Sequence, residues 1–211
     1  MSIYDKASLV LIPSGTKTSK VYSQKPTNGD GDFTFSRSTA ATRVNASGNI
    51  EKETSNLLLQ SNQFDTTWAT TSASITGGQS GYDGTNDAWL LNETAVGGRV
   101  FQTISGSGVM TISLYAKSGS LDYLLIYVNT TSSDPYAYFD LATGAVGNTS
   151  QNIDANIEAV GGGWYRLSVT GNVGTLSAIE IYPADSTSTH TNTAGNIYIQ
   201  DAQLEQGLVA R

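Results

Sequence analysis

The 211-residue sequence has no cysteine, a single histidine (His190), and 11 Lys or Arg. Without cysteine there is no disulfide framework, no Cys-ligated zinc or iron-sulfur centre and no thiol nucleophile. One histidine leaves little for His-based metal or acid-base chemistry. Charged residues make up only 14% of the chain, so the helix builders Lys, Glu and Arg are scarce. No segment shows a sustained 3.6-residue apolar period. Long hydrophobic runs are missing too: Ser8-Leu-Val-Leu-Ile is among the longest, against the roughly 18 to 20 residues that span a bilayer. The start, Met1-Ser-Ile-Tyr-Asp-Lys6, lacks the basic end and apolar stretch of an export signal. The chain therefore reads as soluble, with no membrane partner. A net charge of −7 argues against nucleic acid as the main partner, because phosphate backbones repel an acidic surface.

What is abundant points to β-structure. Ser and Thr supply about a quarter of the residues, with 11 Tyr and 22 Gly, and Thr, Tyr, Val and Ile suit a pleated, half-buried surface. In Val109-Met-Thr-Ile-Ser-Leu-Tyr-Ala-Lys117 the residues Met110, Ile112, Leu114 and Ala116 form one apolar face, and Thr111, Ser113 and Tyr115 the other. Asp122 to Asn129 repeats the pattern with Leu124, Ile126 and Val128 inward. Pro135 to Leu141 offers Ala137, Phe139 and Leu141, and Gly163 to Thr170 offers Tyr165, Leu167 and Val169. Asp87 to Glu93, Arg99 to Ile104, Ala178 to Tyr182 and Asn196 to Glu205 complete the strands. Many short antiparallel strands joined by Gly, Ser, Asn and Asp turns predict an all-β fold, an antiparallel jelly-roll β-sandwich.

Charge divides the chain. Residues 1 to 53 hold seven Lys or Arg against five Asp or Glu, whereas residues 54 to 211 hold four against thirteen. The first part has few apolar residues after Ile12, and its turn-rich stretches leave room for short strands around Leu9 to Ile12, Lys20 to Ser23 and Asp32 to Ser36. Such a segment could barely bury a core alone. It is expected to be an extended N-terminal β arm, residues 1–55, preceding a module of residues 56–211.

Few residues invite a chemical reading. His190 lies in a polar, Thr-rich loop with no nucleophile singled out, so it reads as a solvated loop histidine. Gly161-Gly-Gly163 is followed by a strand and not a helix, and reads as a turn rather than a phosphate loop. Asp134, Asp140, Glu180 and Asp201 are scattered over strands and loops, and show no pair set for glycoside hydrolysis. The aromatics are more suggestive. Tyr115, Tyr123, Tyr127, Tyr136, Tyr138 and Tyr182 lie on strand faces opposite the apolar sets, with Trp164 and Arg166 on the matching face of their own strand. Sugar rings stack on such faces while flanking polar groups bind hydroxyls. Equally, these residues could pack under a loop or in a subunit interface.

Asn56-Leu-Leu-Leu-Gln-Ser-Asn-Gln-Phe-Asp-Thr-Thr-Trp68, Val109 to Lys117, Trp164-Tyr-Arg-Leu-Ser-Val169 and Asn196-Ile-Tyr-Ile-Gln-Asp-Ala-Gln-Leu-Glu205 together resemble the jelly-roll carbohydrate-binding-module-like domains. The resemblance implies that the opening and closing segments are neighbours. It also implies a structural calcium mapping onto Asp65 and Asp201, an ion that takes about six to eight oxygen ligands. Ser8 to Gly15, Gly31-Asp-Phe-Thr-Phe-Ser-Arg-Ser-Thr-Ala-Ala-Thr-Arg-Val-Asn45 and Gly48-Asn-Ile-Glu51 resemble the leader of tailed-bacteriophage virion appendage proteins, of tail-fibre, head-fibre or capsid-decoration type. Those proteins often continue past a segment like Gln203-Leu-Glu-Gln-Gly207, which implies either a short version or a distal part beyond Arg211.

Together these features lead to the expectation of a non-enzymatic structural protein of a tailed-phage virion. It would be anchored by its N-terminal region, display the jelly roll on the particle surface, and have other virion proteins and its own copies as partners. Phe33 and Phe35, which share a strand face, and Arg37 and Arg43, which can bridge carboxylates, are the expected docking contacts. The alternatives are a receptor- or polysaccharide-binding module that takes a host surface glycan and, further off, a glycan hydrolase.

Overall fold

The computed structural model describes residues 6–17, 20–27, 30, 33–34, 42–44, 50–52, 56–131, 134–190 and 194–207. The chain divides into two compact units, Met1–Glu53 and Thr54–Arg211. In the first, β1 (Val10–Lys17), β2 (Lys20–Lys25) and β3 (Phe33–Thr34) form a three-stranded antiparallel sheet, and β4 (Thr42–Val44) pairs β5 (Ile50–Lys52). Of the expected docking contacts, Phe35 and Arg37 lie outside the described residues, as do the side chains of Phe33 and Arg43.

The second unit is an all-β, antiparallel jelly-roll sandwich. Its strands are β6 (Ala69–Thr71), β7 (Ala73–Gln79), β8 (Ala88–Glu93), β9 (Arg99–Ser118), β10 (Tyr123–Thr130), β11 (Tyr136–Asp140), β12 (Ala145–Thr149), β13 (Ile153–Gly161), β14 (Trp164–Ala184) and β15 (Gly195–Gln206). The segments Arg99 to Ile104 and Val109 to Lys117, expected as two strands, are one strand of 20 residues, and Gly163 to Thr170 continues into Ala178 to Tyr182 as one of 21. These two long strands pair along nearly their whole length, from Trp164↔Lys117 to Ile181↔Val100. The register slips between Asn172 and Thr175 and again between Leu176 and Ala178. Such bulges bend a strand without ending it, so the pair serves both sheets. One sheet holds β6, the first part of β9, the last part of β14, β10, β11 and β12. The other holds β13, the first part of β14, the last part of β9, β15, β8 and β7.

The core follows the alternation read in the sequence. Leu114, Leu124, Ile126, Phe139 and Leu167 are all 0% exposed and belong to one apolar cluster. Leu114 faces Leu167 across β9 and β14, and Ile126 faces Ile181 across β10 and β14. Burying each such side chain contributes roughly 1.5 to 3 kcal/mol. The opening and closing segments are neighbours, as the resemblance implied. Leu57 N donates to Leu204 O (2.8 Å) and Ala202 N to Ser61 O (2.9 Å), while Asn56 Oδ1 accepts from Leu58 N and Leu204 N. Phe64 and Trp68 from the opening segment enter the core 4.8 Å apart. Gly161 to Gly163 form the turn between β13 and β14, all three at positive φ.

The outward face of β9 is not open. Ser113 is 3% exposed, and Tyr115 stacks on Tyr82 from the loop between β7 and β8, with ring centres 3.7 Å apart. Replacing Leu114, Ile126 or Leu167 by Ala is expected to cost about 2 to 5 kcal/mol each. Asn156→Ala, on the exposed face of β13, should stay within about 0.5 kcal/mol. Denaturant titration checks both, and equal losses at inward and outward positions would contradict the register.

Candidate functional site

The aromatic residues singled out in the sequence separate onto two surfaces. Tyr123, Tyr127, Tyr136 and Tyr138 lie on the outer face of the β10–β11 side, joined by Tyr182 of β14, Leu125 and Ala184 in a second cluster apart from the main core. Tyr115, Trp164 and Arg166 alternate with Leu114, Ala116, Tyr165 and Leu167, and so stand on the outer face of the other sheet, where Tyr115 and Arg166 are direct partners.

That second surface is closed by the β7–β8 loop. Tyr82 covers Tyr115, meets Trp164 edge-on at 6.5 Å, and donates to Asp201 Oδ2 at 3.2 Å. Gln200, fully buried, accepts from Tyr82 N and donates to Asp87 Oδ1 at 2.7 Å. Trp164 is left 3% exposed. Burial pushes the Tyr82 hydroxyl well above its usual range, and burial with the nearby charges of Asp87 and Asp83 raises the Asp201 carboxyl. Asp65 is exposed and bonded to the Thr66 hydroxyl. Among the described residues no three His, Asp or Glu side chains gather as metal ligands.

The first surface is graded from closed to open along the strands. Leu125, Tyr182 and Tyr138 are direct partners across β10, β14 and β11, and two residues further along Tyr127, Glu180 and Tyr136 form the next row. The Tyr138–Leu125–Tyr182 row is buried, at 6%, 1% and 8% exposure. His190 spans it: Nδ1 is 3.0 Å from the Tyr138 hydroxyl, and the ring lies 5.0 Å from that of Tyr182. The histidine is therefore half-buried against the two tyrosines, because its loop folds back over the sheet. Thr187 O accepts from Asn148 N at 2.9 Å, and a Cβ on Gly147 would meet Thr187 Cβ at 2.7 Å, so only glycine lets β12 approach the loop this closely.

In the next row Glu180, 5% exposed, is surrounded by donors. Arg99 Nε lies 3.0 Å from Oε2, Asn129 Nδ2 donates to Oε1 at 3.0 Å, and the Tyr182 hydroxyl donates to Oε2. The Arg99 guanidinium sits over the Phe101 and Tyr182 rings at 5.4 and 5.6 Å. Burying a carboxylate is costly unless its oxygens are paired and hydrogen-bonded, and here both are. Tyr127 and Tyr136 stay half-buried, and Tyr127 donates to Asp134 Oδ2 at 2.5 Å. Burial, that bond and the charges of Asp134 and Glu180 push the Tyr127 hydroxyl up to about 12. Burial works against the Asp134 carboxylate, yet donors from Tyr127 and Thr130 hold it below its usual range. Beyond Asp134 opens a groove of about 630 Å3 lined by Ser150, Gln151, Asn152 and Asn172.

Tyr82, Arg99 and Asn129 escaped sequence reading, and His190, read as a solvated loop residue, packs on Tyr138 and Tyr182 instead. Arg99 and Phe101 alternate with Val100 and could have been placed on one face, but nothing in a polar loop announces where it folds.

No protein-family model matches the chain, and neither does any curated protein. Among solved structures, TmCBM61 in complex with β-1,4-galactotriose is 9% identical, with a TM-score of 0.44, covering 72% of this chain and 99% of that one. The CBM22-1–GH10 modules of Clostridium thermocellum xylanase 10B with xylohexaose are 14% identical, TM-score 0.44, over 72% of this chain and 28% of theirs. The enzymatically active domain of bacteriophage CBA120 tailspike protein 4 is 13% identical, TM-score 0.38, over 73% and 21%. At such scores nothing about ligand or activity carries over to this chain.

Burial lowers the pKa of His190; Asp185 opposes the shift and Arg99 adds to it. The folded state thus favours neutral imidazole. Its contribution is complete above the ordinary value of 6.5 and is lost as pH falls through the lower folded value. Wild type should lose more stability than His190→Gln between neutral and mildly acidic pH. Parallel melting curves for the two proteins would refute the packing of His190.

Proposed function

We propose that residues 56–211 form a non-catalytic, glycan-binding module, and that residues 1–55 attach it to the surface of a tailed-phage virion. The observation that carries the first half is the open row of Tyr127 and Tyr136, bordered by Asn129, Asp134 and the amide-lined groove. Apolar ring faces beside oriented hydrogen-bonding groups are what a sugar residue needs, since its C–H faces stack while its hydroxyls bond. Tyr138 of the same face, and Tyr115 and Trp164 of the other, are used up in packing. The carboxylates of Asp134 and Glu180 accept from neighbouring donors, which suits orientation rather than proton transfer to a substrate.

The second half rests on the blocks from Gly31 to Asn45 and Gly48 to Glu51, which resemble phage appendage leaders, and on a net positive arm beside an acidic module. Other virion proteins and further copies of the chain are its partners in this reading, and a host surface glycan is the ligand.

Affinity electrophoresis against xylan, galactan, mannan, β-glucan and host surface polysaccharide tests the binding. Tyr127→Ala and Tyr136→Ala should each weaken it by at least about 1 kcal/mol, near fivefold or more, while Tyr115→Ala leaves it unchanged and no reducing ends are released. Indifference to both tyrosine changes would refute the assigned face.

Removal of residues 1–53 should leave a folded module that still binds glycan and no longer joins the particle. Normal incorporation of the truncated protein would refute the arm as the anchor.

A further inference from the structure

We infer that the tyrosine face recognises the end of a glycan chain, with the Asp185 to His190 loop as the stop and the groove beyond Asp134 as the exit. The inference rests on the glycan reading above and adds how that site selects its ligand.

The surface is closed on one side and open on the other along a single direction, that of β10. At the closed side, the Leu125 row lies beneath His190 and the loop carrying it. The described part of the loop, Asp185 to His190, is held by its own hydrogen bonds. Asp185 N and Ser186 N both donate to Thr189 O, the Ser186 and Thr189 hydroxyls bond at 2.6 Å, and Ser188 N and Thr189 N donate to Ser186 Oγ. Thr187 ties its outer side to Asn148 of β12, and His190 ties its far end to Tyr138 of β11.

The open side begins with Tyr127 and Tyr136 and continues past Asn129 to Asp134. From Leu125 to Asn129 is four residues of strand, roughly 13 Å at about 3.3 Å per residue. Tyr136 is tied directly to the groove, its N donating to Ser150 Oγ at 3.1 Å and its O accepting from Ser150 N at 3.0 Å. The groove is lined by Asp134, Ser150, Gln151, Asn152 and Asn172 together with Pro135, Ile153 and Gly174, so donors and acceptors for sugar hydroxyls stand beside an apolar wall. Asp134 accepts from Tyr127 and also lines the groove, and it is the point at which a chain lying on Tyr127 and Tyr136 would pass into it. In the other direction it meets His190, and its terminal ring must stop there. The class of ligand is a glycan presenting a free terminus, and His190 is a specificity-determining residue through its position.

The test uses the full chain and whichever linear polysaccharide of the panel binds it. Samples of that polysaccharide, cut to decreasing mean length at constant mass, are titrated to saturation. Chain-end recognition predicts that bound protein rises in direct proportion to the number of chain ends. Capacity that follows mass and ignores length overturns the inference while leaving the glycan reading intact; failure of every polysaccharide to bind overturns both. A His190→Gly, Thr187→Gly variant that remains folded by circular dichroism should bind along the chain and lose the dependence on ends. Retention of that dependence in the folded variant would count against the loop as the stop.

Discussion

The antiparallel pairing of β9 with β14 is the constraint on which the module depends. Because the two strands stay paired from Trp164↔Lys117 through to Ile181↔Val100, both sheets share one continuous ladder, and the bulges around Val173 and Ile104 only change its direction. Inward residues on either side of the bend, Leu114 and Leu167 in one sheet and Val100 and Ile181 in the other, then fall into the same apolar cluster. The bend also decides what lies outside. It sends Tyr115, Trp164 and Arg166 to one outer face and Arg99, Glu180 and Tyr182 to the other.

These two outer faces carry similar residues and meet different fates, because each is met by a different loop. The β7–β8 loop lays Tyr82 flat on Tyr115 and bonds Asp83 and Asp87 to Gln200, which closes that face. The described residues of the loop after β14 meet the Tyr138–Leu125–Tyr182 row and β12, while Tyr127 and Tyr136 stay half-buried. Aromatic content alone does not decide which face is closed by packing. The loop above it does.

This also marks where sequence reading ends. Period-two alternation is a local signal, so Leu114, Ile126 and Leu167 could be placed inward from their neighbours alone. The same signal runs through Ile153, Ala155 and Ile157 of β13, beside the polar Asp154, Asn156 and Glu158 that alternate with them, and went unread. The merging of segments into β9 and β14 was hidden because Gly108 and Gly174 look like turn residues, and only the pairing shows that they sit in a bulge. Tyrosines with the same alternation were grouped as one surface although the bend divides them. The position of His190 depends on how a polar loop returns to the sheet, and such loops carry no periodicity to read.

The central proposal is that, among the aromatic surfaces, the Tyr127–Tyr136 row takes the ligand while the Tyr82–Tyr115–Trp164 stack only seals its sheet. The most direct measurement is a nuclear magnetic resonance titration of the intact protein with a binding oligosaccharide, following tyrosine and tryptophan ring signals. Shifts confined to Tyr127, Tyr136 and the neighbouring Asn129 side chain are the predicted result. Shifts centred on Tyr82, Tyr115 and Trp164, with Tyr127 and Tyr136 unmoved, would contradict it.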